Sequence, residues 1–124
     1  MAYLWVALGS ALGGAARYAS FVAVSRIAGH PFPYGTLLVN ITGSFVIGVL
    51  AAVSITQRND NLRLFLIPGL CGGFTTFSAF SLETFALLQE EQWAKAGLNM
   101  VLSVTLCLIA VAAGYWSAGA LRQR

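Results

Sequence analysis

An amide sits in a stretch that otherwise reads as hydrocarbon. It is Asn40, with Thr36 four residues before it and Ser44 four after. In a helix these three share a face. A buried amide is costly to leave unsatisfied, so the stripe either ties helices together or offers hydrogen-bond donors to a polar ligand. Lys95, Asn99, Ser103 and Cys107 repeat the same spacing near the C-terminus. Between the two stripes runs Gly69-Leu70-Cys71-Gly72-Gly73-Phe74-Thr75-Thr76-Phe77-Ser78-Ala79-Phe80-Ser81. Adjacent glycines followed by adjacent threonines hold a helix poorly. In lipid, broken backbone is tolerated only where it is buried in protein or lines a cavity. The sequence therefore predicts an interrupted helix here, and an interruption of that kind is a candidate ion or substrate site. Arg17 is the one charge deep in the first apolar stretch, placed to draw anions inward or to pair with carbonyls. Glu83, one turn past Phe80, can accept hydrogen bonds from hydroxyls. Phe74, Phe77 and Phe80 recur at three-residue spacing, which suits packing. It also suits a small anion, because the edge of an aromatic ring is positive.

The elements that must hold these residues follow from composition. The chain has 124 residues, 58% hydrophobic and 9% charged, against roughly 25% charged in a soluble domain. Four apolar stretches, at about 3–24, 32–56, 62–88 and 94–121, reach the roughly 20 residues that a bilayer crossing needs. Tyr3, Trp5, Tyr34, Trp93, Tyr115 and Trp116 fall near their ends, as an interfacial aromatic belt requires. The expected fold is an all-α membrane protein, one transmembrane domain over residues 1–124, with no separate signal peptide and no room for an extramembrane domain. Small residues at four-residue spacing (Gly9 and Gly13, Gly69 and Gly73, Ala110, Gly114 and Ala118) allow close helix approach within a subunit or across a dimer. Four helices enclose little pathway, so a homo-oligomer is expected.

Charge sorts the remaining possibilities. The net charge of +3 is scattered over helix ends and forms no nucleic-acid patch. With four spans, Arg58, Arg63, Arg122 and Arg124 share one side; Arg26 and Lys95 share the other, with Arg17 nearer the middle. So weak an asymmetry permits insertion in either orientation, and hence an antiparallel pair. Cys71 and Cys107 lie inside spans and make neither a disulfide framework nor a zinc spacing. The glycine runs lack the Lys-Ser/Thr of a phosphate loop, and no nucleophile–base pair accompanies His30, so an enzyme is not expected. A small four-helix proton-coupled multidrug exporter is the alternative of similar size. That chemistry needs a carboxylate in the first span, which has Arg17 and no Asp or Glu.

The chain resembles the small bacterial fluoride channels (the Fluc, or CrcB, family). The resemblance rests on Gly-Gly-Ala-Ala-Arg17-Tyr in the first span and Tyr-Gly-Thr36-Leu-Leu-Val-Asn40 in the second. The third adds Gly-Leu-Cys-Gly-Gly-Phe-Thr-Thr-Phe77-Ser-Ala-Phe80-Ser-Leu-Glu83. It implies a fluoride-selective channel exporting fluoride passively across the bacterial inner membrane. It also implies an antiparallel, dual-topology homodimer with two pores. The broken third helices would cross at a structural Na⁺ held by the backbone carbonyls of Gly72 and Thr75. By motif position, Phe77, Phe80 and Asn40 would line the pore and Arg17 the vestibule. Ser78, Ser81, Thr36, Glu83 and Ser103 would form the polar track. Ala79 stands where a threonine is usual, and Cys107 and Val111 where Ser or Thr is expected, which thins that track.

Overall fold

The computed structural model describes residues 1–53 and 58–122. All regular structure among the described residues is helical. Helix α1 spans Ala2–Ala28, running past the expected end near residue 24. Arg26 in its last turn suits the negative end of the helix dipole. The helix stops at Gly29, whose φ of 67° is accessible mainly to glycine. Helix α2 spans Tyr34–Ala52 and begins only after Pro31 and Pro33. Val53 is already extended, with φ −83° and ψ 129°. The expected end of this span, at residue 56, lies outside the described residues.

The next segment is composite. Helix α3 (Asp60–Leu64) starts at Asn59, whose side chain accepts the Leu62 N–H. It continues into a π-helical stretch, Phe65–Cys71, that contains Pro68. Proline lacks an N–H and its ring crowds the preceding turn, so a wider coil here has a local cause. Helix α4 (Gly72–Phe74) follows, then α5 (Phe77–Gln89) and α6 (Trp93–Arg122). Between α4 and α5, Thr75 (φ −78°, ψ 158°) and Thr76 (φ −152°, ψ 117°) are extended. Gly72, by contrast, is helical at φ −63° and ψ −37°. Helix α5 closes through Gln92 N–H to the Leu87 carbonyl at 2.8 Å, with Glu91 at φ 57° in the left-handed position usually given to glycine.

Among the described residues, three helical stretches are long and apolar enough to cross a membrane: 34–52, 60–89 and 93–120. Helix α1 has the length, at 27 residues, but its glycines, serines and two arginines dilute its hydropathy.

Two helix pairs make the frame. Helix α2 packs along α6, and α1 along the π-helical stretch and α4. Both contacts are backbone on backbone. A Cβ on Gly48 would collide with the Val111 carbonyl, and one on Gly114 with the Phe45 carbonyl. Across the other pair, a Cβ on Gly13 would collide with the Leu70 carbonyl, and one on Gly73 would lie 2.6 Å from the Ser10 carbonyl oxygen. These small residues serve packing within one subunit.

Candidate functional site

The site is built around the two extended threonines. In a continuous helix the Thr76 N–H would bond to the Gly72 carbonyl, and the Ala79 N–H to the Thr75 carbonyl. Here the Thr76 N–H donates to Asn40 Oδ1 at 2.8 Å, and the Ala79 N–H donates to Thr76 Oγ1 at 3.1 Å. Asn40 Nδ2 also donates to the Thr76 carbonyl at 3.0 Å. One side-chain amide from α2 thus replaces helical bonding on both sides of Thr76. Without that amide the extended backbone would carry orphaned polar groups, which apolar surroundings penalise.

The carbonyls of Gly72 and Thr75 therefore lack the N–H that an unbroken helix would give them. The Thr75 carbonyl instead accepts from Arg17 Nη1 at 3.2 Å, and a carbonyl oxygen has a second lone pair. Oxygen donors without side-chain charge suit a hard cation. Among the described residues, no group of three or more His, Cys, Asp or Glu is placed to hold a metal.

Beside the threonines lies a cavity of about 590 Å³. Helix α2 contributes Asn40, Gly43, Ser44 and Ile47; the composite segment contributes Cys71, Gly72, Thr75 and Thr76; α5 contributes Phe77 and Phe80; α6 contributes Ser103 and Cys107. The structure thus gathers Asn40, Gly72, Thr75, Phe77, Phe80 and Ser103 around one space. The Phe77 and Phe80 rings are 5.4 Å apart, tilted by 49°. Phe77 is 78% exposed, so its outer face is uncovered in a single subunit. Both cysteines are free thiols at this wall.

The other predicted site residues fall elsewhere. Thr36 Oγ1 donates to Glu83 Oε1 at 2.8 Å, linking α2 to α5 about a turn beyond Asn40. Glu83 lines a smaller cavity of about 320 Å³, together with His30, Phe32, Glu90 and Lys95. Ser78 and Ser81 are exposed and bond locally: Ser78 Oγ lies 3.2 Å from Thr76 Oγ1, and Ser81 Oγ donates to the Phe77 carbonyl at 2.9 Å. Neither lines the larger cavity.

Comparison with known proteins matches the sequence of the chain to a family. The family described as CrcB-like protein, Camphor Resistance (CrcB), matches residues 4–115. The chain belongs to that family. A relative from Methylocella silvestris is 46% identical over 99% of this chain and 97% of its own length. One from Opitutus terrae is 45% identical over 98% and 95%, and one from Geobacter sulfurreducens 46% identical over 93% and 94%. All three relatives are named fluoride-specific ion channel FluC, so the CrcB-like relatives are ion channels, not enzymes. With its apolar helices, this CrcB-like chain is a multi-pass membrane protein.

The partners of two polar residues were not anticipated from the sequence. One is Asn40, paired with the Thr76 backbone, 36 residues away. The other is Asn99, buried at 1% exposure and bonded to Thr84. Its four-residue spacing from Lys95 and Ser103 marks the stripe but does not reveal the partner.

Proposed function

We propose that the protein is a fluoride-selective channel of the plasma membrane (the inner membrane of a bacterium) that exports fluoride passively. The observation that carries this reading is the cavity joining Asn40, Phe77, Phe80 and Ser103 beside the extended threonines, in a chain whose relatives are named fluoride-specific ion channels. Fluoride is small and strongly hydrated, so entry needs donors that replace water. Asn40 Nδ2 has a second N–H beyond the one given to Thr76. Ser103 contributes a hydroxyl, and the edges of Phe77 and Phe80 supplement it. An interior-negative potential drives anion efflux with about 2.3 kcal/mol per charge per 100 mV.

The assembly we propose is an antiparallel, dual-topology homodimer of four-span subunits with two pores. The third transmembrane helix of each subunit is broken at Thr75–Thr76, and α1 is the first of the four spans. The weak Lys/Arg asymmetry and the uncovered Phe77 support it. Within the dimer the carbonyls of Gly72 and Thr75, neither of them bonded to the N–H that a continuous helix would supply, would hold a structural Na⁺, the Thr75 oxygen through the lone pair that Arg17 leaves open. When bound, that ion supplies a positive charge that joins the two broken helices. Arg17, already on the Thr75 carbonyl, places its guanidinium beside this point and draws anions toward it.

Reconstitution in liposomes with fluoride and chloride electrodes tests the reading. Fluoride efflux with negligible chloride efflux is expected; equal release of both ions would overturn the selectivity.

A further inference from the structure

Helix α5 is attached differently from the rest of the bundle. Its only buried residues are Thr84 and Leu87, and it packs lightly against α6, whereas α2 packs extensively against α6. Three polar links hold it instead: Thr76 to Asn40 at its start, Glu83 to Thr36 midway, and Thr84 to Asn99.

The third link reaches the cavity from behind. Asn99 Nδ2 donates to Thr84 Oγ1 at 2.9 Å, and Thr84 Oγ1 donates to the Phe80 carbonyl at 2.7 Å. On the other side of the same amide, Ser103 Oγ donates to Asn99 Oδ1 at 3.4 Å. Phe80 and Ser103 both line the cavity, and Asn99 does not. A single buried carboxamide therefore connects the aromatic wall on α5 to the hydroxyl on α6. The Ser103 bond is long, hence weak and easily exchanged for a better acceptor.

We propose that Asn99 is a positioning residue for anion passage. It sets the separation of Phe80 and Ser103 and turns the Ser103 hydroxyl, so that the proton swings to a passing anion and returns to Asn99 Oδ1 afterward. This rests on the cavity being the anion path.

The test compares Asn99→Leu, Thr84→Val and the double variant in liposomes, reading the fluoride rate per channel and the chloride-to-fluoride ratio. Each single variant is expected to lower the rate per channel by about three- to tenfold, the worth of one or two such bonds. The ratio should rise with it. The double variant should be no worse than the more severe single one, because both substitutions break the same link. A purely structural role would reduce the fraction of conducting liposomes and leave rate and ratio unchanged, and that result overturns the proposal. Independent, multiplying effects overturn it too. Thr84→Val is isosteric and keeps the test decisive if Asn99→Leu does not fold. A wild type that releases no fluoride overturns the pore reading itself; a conducting wild type with unaltered variants overturns only the role of Asn99.

Discussion

Helices α2 and α6 meet backbone to backbone through Gly48 and Gly114, with no side chain to yield between them. Helix α5, a short distance away, is held by three polar links and buries little of its own surface. The contrast separates a frame from a wall. The frame gains from close packing, which is stiff because interiors are as dense as organic crystals. The wall is fixed by hydrogen bonds, each directional and each breakable alone. A site that must strip water from an ion and release it again is better served by groups set by direction than by bulk.

The comparison breaks most clearly at the frame. Gly114→Val should destabilise the fold by about 2–3 kcal/mol or prevent assembly, because the new side chain meets the Phe45 carbonyl, which cannot move aside. Thermal unfolding in detergent and size-exclusion chromatography measure this; a variant with wild-type stability would show the α2–α6 contact to be loose. At the junction of frame and wall, Asn40→Asp keeps an acceptor for the Thr76 N–H but sets oxygen against the Thr76 carbonyl. Fluoride flux should fall by roughly a hundredfold, about the worth of one orphaned buried group. The proposed dimer should survive, and wild-type flux would remove Asn40 from the path.

Within the wall, Phe77→Ile retains bulk but loses the positive ring edge. A drop of about tenfold in fluoride flux, with unchanged unfolding temperature, is expected. Unchanged flux would make Phe77 a packing residue only. The smallest effect is expected from replacing Na⁺ by a bulky organic cation. Flux should slow or the dimer dissociate more readily on dilution, and indifference of both would argue against a central cation at Gly72 and Thr75.

Much of this organisation was legible in the chain itself. Long apolar stretches at about 3–24, 32–56, 62–88 and 94–121 mark helices, because a helix needs only local residues to satisfy its backbone. Even so, α1 reads as a span by length while its hydropathy is lower than that of the other three stretches. The glycine pair was less transparent. Gly72 and Gly73 suggest loosened backbone, yet Gly72 is helical and Gly73 admits Ser10 of α1 at close range. The extended residues are Thr75 and Thr76. Glycine propensity counts only local backbone freedom, whereas close approach depends on a neighbour 63 residues earlier in the chain. The π-helical stretch around Pro68 has a visible cause in that proline, but its extent does not follow from the residue alone.

The sequence by itself determined which residues are polar inside apolar helices, that they repeat every four positions, and that Lys and Arg are scattered along the chain rather than gathered in one patch. Those properties belong to residue type and spacing, and periodicity carries them. The tertiary structure alone decided that Asn40 bonds to Thr76, that Thr36 meets Glu83, and that Asn99 stands behind Phe80 and Ser103. Each of these arrangements brings together separate elements of the chain, and the rotation of one helix against another is set by the close packing of glycines and side chains across the whole contact. No single stretch of sequence contains that information.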